Sequence, residues 1–264
     1  MSDFAELPAS AGARLRVLMA RLSARAPAEA LGDSPLLAEL GRVIGLADAI
    51  ELHGLLQRKS ATSPGAAIAL RAEEAQRIAA ELRDDVLHTR QSLLDALVDA
   101  CGEDGGDGFL RWPNLDLTVG LDGLTPVQRL ERFYSRLQQT LQVRMQELRQ
   151  RTRRRLVAVL PHLVELDTWL EQALLPHLER GLATIPRQLA NHAAQALAVT
   201  AAVSDEAELS SPELAHPELP QTERPAWQDE LRLMACSLFI AETDVRLEPL
   251  LGLAEALEDN QRTD

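Results

Sequence analysis

Apolar residues recur at steps of three and four along almost every segment of this chain, the spacing that gathers them on one side of an α-helix. The longest uninterrupted case is Leu124 to Leu160. It opens Thr125-Pro126-Val127-Gln128, and no proline or glycine follows until Pro161. Thr125 suits the cap, Pro126 the first helical position, and Gln128 the third position of a capping box. At about 1.5 Å per residue this helix predicts a rod of roughly 50 Å. Its stripe is Leu130, Tyr134, Leu137, Leu141, Met145, Leu148, Leu156, Val159 and Leu163, with Thr152 in one slot. An eleven-residue repeat such as Leu130 to Leu141 or Leu137 to Leu148 keeps the stripe nearly straight along the axis.

A second long helix is predicted over Ala66 to Cys101, which also lacks proline and glycine. Its stripe is Ile78, Leu82, Val86, Leu93 and Leu97. The two stripes match in length, and an antiparallel pair of these helices is the simplest way to bury both. Shorter helices are expected before them, near Ala11–Ala26, Ser34–Gly45 and Leu46–Leu56. After Pro161 the helical signal continues, and it resumes over Ile185–Val203 and about Pro225–Leu257. The predicted fold class is all-α, an elongated helical bundle built on two long antiparallel helices with shorter helices at both ends.

The punctuation predicts four parts. Residues 1–59 form a short-helix unit, and residues 66–203 hold the long-helix hairpin and the helices after it. Residues 204–222 are acidic and carry Pro212, Pro217 and Pro220, which reads as a linker. Residues 223–264 are a last helix, interrupted at Pro249, and a polar tail. Between the long helices, Phe109, Leu110, Trp112, Leu115, Leu117 and Val119 are too apolar for a free loop and are expected to pack across the helix ends.

Composition supports helix: the chain is 46% hydrophobic but only 3% aromatic, and Leu and Ala supply most of the apolar mass. The net charge of −13 weighs against a general nucleic-acid binder. No apolar run approaches the ~18 residues needed to cross a membrane, and the first residues lack the basic-then-apolar order of a signal peptide. Cys101 and Cys236 lack metal-ligand spacing and read as ordinary buried thiols of a reducing cytoplasm.

No catalytic signature is present: there is no phosphate-binding glycine loop, nucleophile elbow or zinc-protease helix. The glycine-acid stretch Gly102–Gly108 lacks the spacing of a calcium loop. His162 and His177 recur in Leu-Pro-His-Leu words, but they are too far apart to share a metal on one helix. No catalytic, cofactor or metal residue is therefore assigned. The candidate site is a partner interface on the long helix, formed by Leu137, Leu141, Met145 and Leu148 with Arg149, Arg151, Arg153, Arg154 and Arg155. A stripe this regular must be covered, and a hairpin covers each helix on one side only. That predicts a homo-oligomer or a protein partner. The arginines are expected chiefly to pair with acidic neighbours; anion or nucleic-acid binding is the alternative, and an enzyme of unrecognised type is a third.

Two stretches resemble a proteobacterial family known only as a domain of unknown function. They are Ile44-Gly45-Leu46-Ala47-Asp48-Ala49-Ile50 and the segment from Ala241-Glu242-Thr243-Asp244-Val245-Arg246 to Leu257. Leu46 and Ala47 stand where the usual form of the first stretch carries tryptophan. Genes of that family neighbour membrane proteins similar to MotA, TolQ and ExbB proton channels and OmpA-like peptidoglycan-binding proteins. The resemblance implies a non-catalytic, cytoplasmic accessory protein of an envelope-anchored, ion-driven assembly, peripheral to the inner membrane. It assigns no active site.

Overall fold

A computed structural model of the chain describes residues 11–22, 52–55, 72–102, 110–115, 123–157, 160–210 and 225–259. Six helices account for nearly all of them: α1 (Ala11–Leu22), α2 (Ala72–Cys101), α3 (Pro126–Leu156), α4 (Pro161–Leu182), α5 (Ile185–Ser210) and α6 (Ala226–Asp259). No strand occurs among the described residues. The bundle is all-helical, as the spacing predicts, and no helix among those residues is long and apolar enough to cross a membrane.

Helix α3 starts where its cap chemistry dictates. The Gln128 amide donates to Thr125 Oγ1 at 3.2 Å, the Thr125 amide donates to Gln128 Oε1 at 3.0 Å, and Pro126 takes the first helical position. Both bonds satisfy backbone donors that a helix start leaves free. Pro161 likewise opens α4. Pro249, expected to interrupt its helix, lies inside α6, and Pro176 lies inside α4. Each removes one backbone hydrogen bond, yet the packed turns on either side hold both helices continuous.

The two long helices do run antiparallel. Leu93 and Leu97 of α2 share a core with Leu130 and Leu137 of α3, and Leu82 and Val86 share another with Leu148 and Leu156. They are not each other's main cover, however. The broadest contact of α2 is with α6, and that of α3 is with α5. Helix α6 touches all five other helices and is the centre of the bundle. It runs antiparallel to α2: Leu231 and Leu238 share a core with Leu97, and Leu253 shares the other with Leu82. The hairpin reading assigns the cover of α3 to its equal in length. The cover comes instead from the later, more apolar helices, which can be buried on several sides.

Other expectations meet the structure as follows. Helix α1 packs on α6, with Leu15 and Leu22 in the larger core. Leu115 is buried, and Leu110 and Trp112 pack on the same core, with the Trp112 ring edge-on to Phe133 at 5.4 Å. Phe109, Leu117 and Val119 lie outside the described residues, as do 34–45 and 211–222. Residues 204–210, assigned to the acidic linker, extend α5 instead. Glutamate and alanine are good helix formers, and the first proline comes only at Pro212.

Leu137, Leu141 and Leu148 are at most 2% exposed, so the chain's own helices supply the cover expected of a partner. Leu141→Ala should cost about 2–5 kcal/mol in urea unfolding. Leu141→Glu should leave the protein unfolded or aggregated, because the carboxylate would be buried with no partner. A folded Leu141→Glu protein in circular dichroism would contradict this packing.

Candidate functional site

The middle of α6 carries charges where a central helix should be apolar. Glu242 and Thr243 are completely buried and Arg246 nearly so. A buried carboxylate must be hydrogen-bonded or it will not stay ionised. Gln138 of α3 donates to Glu242 Oε2 at 3.0 Å, and the Tyr134 hydroxyl donates to the same oxygen at 3.5 Å. Arg246, one turn on, donates from Nη2 to Glu242 Oε1 at 3.0 Å. Its Nε donates to the same oxygen at 3.2 Å, and its two terminal nitrogens fork onto Glu179 of α4, with Nη1 to Oε1 at 2.5 Å and Nη2 to Oε2 at 3.3 Å. Gln138 also donates to the Leu182 carbonyl at 2.9 Å. One connected network thus joins α3, α4 and α6.

Asp244 faces the other way. Arg90 of α2 donates to it at 2.7 Å and Arg14 of α1 at 3.2 Å. Glutamate, aspartate and arginine at 242, 244 and 246 therefore tie α6 to four other helices. Burial pushes the Glu242 carboxyl above the usual carboxylate range, against the hydrogen bond from Gln138 and the charge of Arg246. Burial, then the Glu242 charge and hydrogen bond, push the Tyr134 hydroxyl well up. Burial disfavours the Arg246 charge, but Glu179 and Glu242 outweigh it and hold the guanidinium protonated.

A second network joins α3 to α4. Arg153 Nε donates to Asp167 Oδ2 at 2.6 Å, and Arg149 Nη1 donates to Glu171 Oε1 at 3.0 Å. Arg153 Nη2 lies 2.7 Å from Glu171 Oε2. The Asp167 side chain is only 2% exposed. Burial pushes the Glu171 carboxyl up, but bonds from Arg149 and Arg153 and their charges outweigh it, so it sits below its ordinary value.

Between the networks, α3, α4 and α6 enclose a cleft of about 230 Å³. Met145, Leu170, Leu174, Leu178 and Leu250 form its apolar lining. Arg149 with Glu171 marks one side, and Arg246 with Glu179 the other. Glu171 and Glu179 are about 12 Å apart along α4. Leu166, Leu170, Leu174 and Leu178 repeat every fourth residue on α4, and all four are only half-buried. This cleft can hold apolar side chains between two rims of neutralised charge. Among the described residues, no three histidine, cysteine, aspartate or glutamate side chains gather as a metal ion requires.

The predicted interface residues are therefore divided. Leu137, Leu141 and Leu148 are core, and Met145 is half-buried at the cleft. Arg149 and Arg153 pair with acids of α4, and Arg155 pairs with Asp85 of α2 at 2.7 Å. Arg151 and Arg154 are exposed beside Arg144 and Glu147. On a helix of 3.6 residues per turn they point away from α4, because Arg149 and Arg153 point toward it. Glu242, Arg246 and Glu179 do not stand out as a site from sequence. The available signal is alternating charge at 242, 244 and 246 between apolar residues, Leu238 to Ala241 before and Leu247 after.

A family model described as Protein of unknown function (DUF3348) matches residues 1–259, and the chain belongs to that family. No curated protein and no solved structure matches it.

The two carboxylates titrate in opposite senses. Glu171 is depressed in the fold, so its contribution to stability is present above the unfolded value of about 4.3 and is lost as pH falls below it. Glu242 is raised, so its contribution is present below about 4.3 and is lost as pH rises through its folded value. Urea midpoints measured against pH should show Glu171→Gln flattening the acid side of the profile and Glu242→Gln flattening the side above it. The arginines should separate too. Arg153→Gln leaves buried Asp167 poorly paired and should cost about 2–4 kcal/mol. The double change Arg151→Gln with Arg154→Gln should stay within about 0.5 kcal/mol of the parent.

Proposed function

We propose that the protein is a non-catalytic helical interaction module that takes a protein partner across α4. The observation that carries this reading is the row Leu166, Leu170, Leu174 and Leu178, half-buried beside an apolar cleft. The matching stripe on α3 is covered within the chain at Leu137, Leu141 and Leu148. Leucines left at four-residue spacing on an outer helix suit an amphipathic helix laid in a groove. The rims of the cleft are already neutralised by their own arginines, so the occupant presents apolar side chains rather than a charged group. The family resemblance supports the wider setting. The partner on this reading is a cytoplasmic segment of an envelope-anchored, ion-channel-type complex, and the protein acts as its accessory at the inner face of the membrane.

The nucleic-acid alternative is reduced to Arg151 and Arg154, with Arg144 already beside Glu147 at 3.4 Å. Two exposed arginines on a chain of net charge −13 offer few phosphate contacts.

Affinity capture with mass spectrometry on the full chain tests the reading. The parent should retain one protein partner, and Leu174→Arg should reduce its recovery by about tenfold while circular dichroism and melting midpoint stay near the parent. Light scattering distinguishes self-association, in which Leu174→Arg would convert a dimer to a monomer. Equal recovery by parent and variant, with equal mass in solution, would remove α4 as the docking face. Salt-sensitive binding of DNA or RNA lost in Arg151→Gln/Arg154→Gln would favour the alternative.

A further inference from the structure

The chain has two cysteines, and the fold brings them together. Cys101 is the last residue of α2, and Cys236 lies in the third turn of α6. The helices are antiparallel neighbours, and both side chains pack in the larger core, close enough for each thiol to act on the other's proton. Both are free thiols; Cys101 is buried and Cys236 half-buried. Two cysteines separated by about half of the chain have no packing reason to meet, since either could be replaced in a core by alanine or valine.

The surroundings distinguish the two sulfurs. Arg232, one turn before Cys236, lies over the Trp112 ring at 5.4 Å, and its charge acts on both thiols. Trp112 is held by its amide, which donates to the Ala100 carbonyl at 2.7 Å, beside Cys101. The hydrogen bond from Cys101 and the Arg232 charge lower the Cys236 thiol below its usual range, against the effect of burial. The Cys101 thiol is pushed up by its bond to Cys236 and by burial. A half-buried thiol that is lowered from its usual range, beside a buried second thiol, is the arrangement of a peroxide-reactive pair.

We propose that Cys236 and Cys101 are a thiol oxidation site that hydrogen peroxide converts to a reversible intramolecular disulfide. The Cys236 thiolate attacks one peroxide oxygen. The S–O bond forms, the O–O bond breaks, and hydroxide leaves and is protonated to water. Cys101 Sγ then attacks Cys236 Sγ, the S–S bond forms and the S–O bond breaks. The departing hydroxide takes the Cys101 proton and leaves as a second water. The two thiols lose two electrons, and one peroxide is reduced to two waters. A dithiol reductant reverses the exchange. The bond ties the end of α2 to α6, the helix that touches α1 to α5 alike.

The test is peptide mass spectrometry on the full-length protein after titration with hydrogen peroxide. One cross-link joining the Cys101 and Cys236 peptides within a single chain should appear near one equivalent and vanish with dithiothreitol. The cross-linked protein should melt about 5–10 °C higher than the reduced one. Cys101→Ala, which keeps the core apolar, should accumulate a sulfenic acid on Cys236 that dimedone traps. Cys236→Ala should slow oxidation of Cys101 at least tenfold. Over-oxidation of Cys236 to sulfinic acid without a cross-link would overturn the proposal, as would a cross-link only between chains or a Cys101 that reacts equally fast without Cys236.

Discussion

The structure depends on keeping one ionisable carboxylate, Glu242, on the buried side of a helix that packs against five others. Its side chain has no access to water, so every lone pair must be met by protein. Tyr134 and Gln138 of α3 meet one oxygen, and Arg246 meets the other. Arg246 brings a second requirement, because a buried guanidinium with a single partner would leave donors idle, and Glu179 of α4 satisfies them. The demand thus passes from α6 outward to helices far away in sequence. A buried ion pair gains little stability over an apolar replacement, but breaking it costs several kcal/mol. Its consequence here is a single alignment: α6 cannot slide or rotate against α3 and α4 without orphaning a charge.

The same logic sets α4 against α3. Arg153 meets Asp167, Arg149 meets Glu171, and Gln138 meets the end of α4 at Leu182. Each step back along α3 is answered by a step forward along α4, so the polar contacts alone specify an antiparallel pair in one register. Apolar packing could not do this by itself on α4, whose leucines recur every four residues and would fit nearly as well one turn away. Because polar contacts supply the register, those leucines remain half-exposed without loss of order.

Local signals are legible in the sequence and long-range ones are not. The start of α3 is readable because Thr125, Pro126 and Gln128 act within a single turn. The helical class is readable because spacing in threes and fours is a property of each segment. Which stripe covers which is unreadable: Ile78–Leu97 and Leu130–Leu156 look complementary, yet either can equally be buried by a helix that is apolar on several sides. Helix α6 is that helix, and its lack of a single apolar face makes it look less informative than α3. The linker reading fails at 204–210 because acidity there outweighs nothing: helix formers continue without a proline until Pro212. The arginines read as one patch only if their directions are ignored, since successive residues on a helix point to different sides. Two of them turn to α4, one turns to α2, and Arg151 and Arg154 turn to solvent.

Where a partner could act follows from what is already used up. The α3 stripe is spent on the core, Glu242 and Arg246 of α6 on each other, Asp244 on Arg14 and Arg90, and Arg149, Arg153 and Arg155 of α3 on neighbouring acids. Single exposed residues such as Leu87 of α2, Val143 of α3, Val199 of α5 and Leu233 of α6 are scattered over different helices, as on any protein surface. Leu170, Leu174 and Leu178 of α4 differ in following one another every four residues along one helix and in lining a cleft whose floor, Met145 and Leu250, is already apolar. A partner helix seated there would bury them without disturbing the ion pairs, since those pairs sit at the rims and keep their bonds. Binding at this face would need no rearrangement of the bundle, because the charges that fix the register of α4 are the same ones that frame its open side.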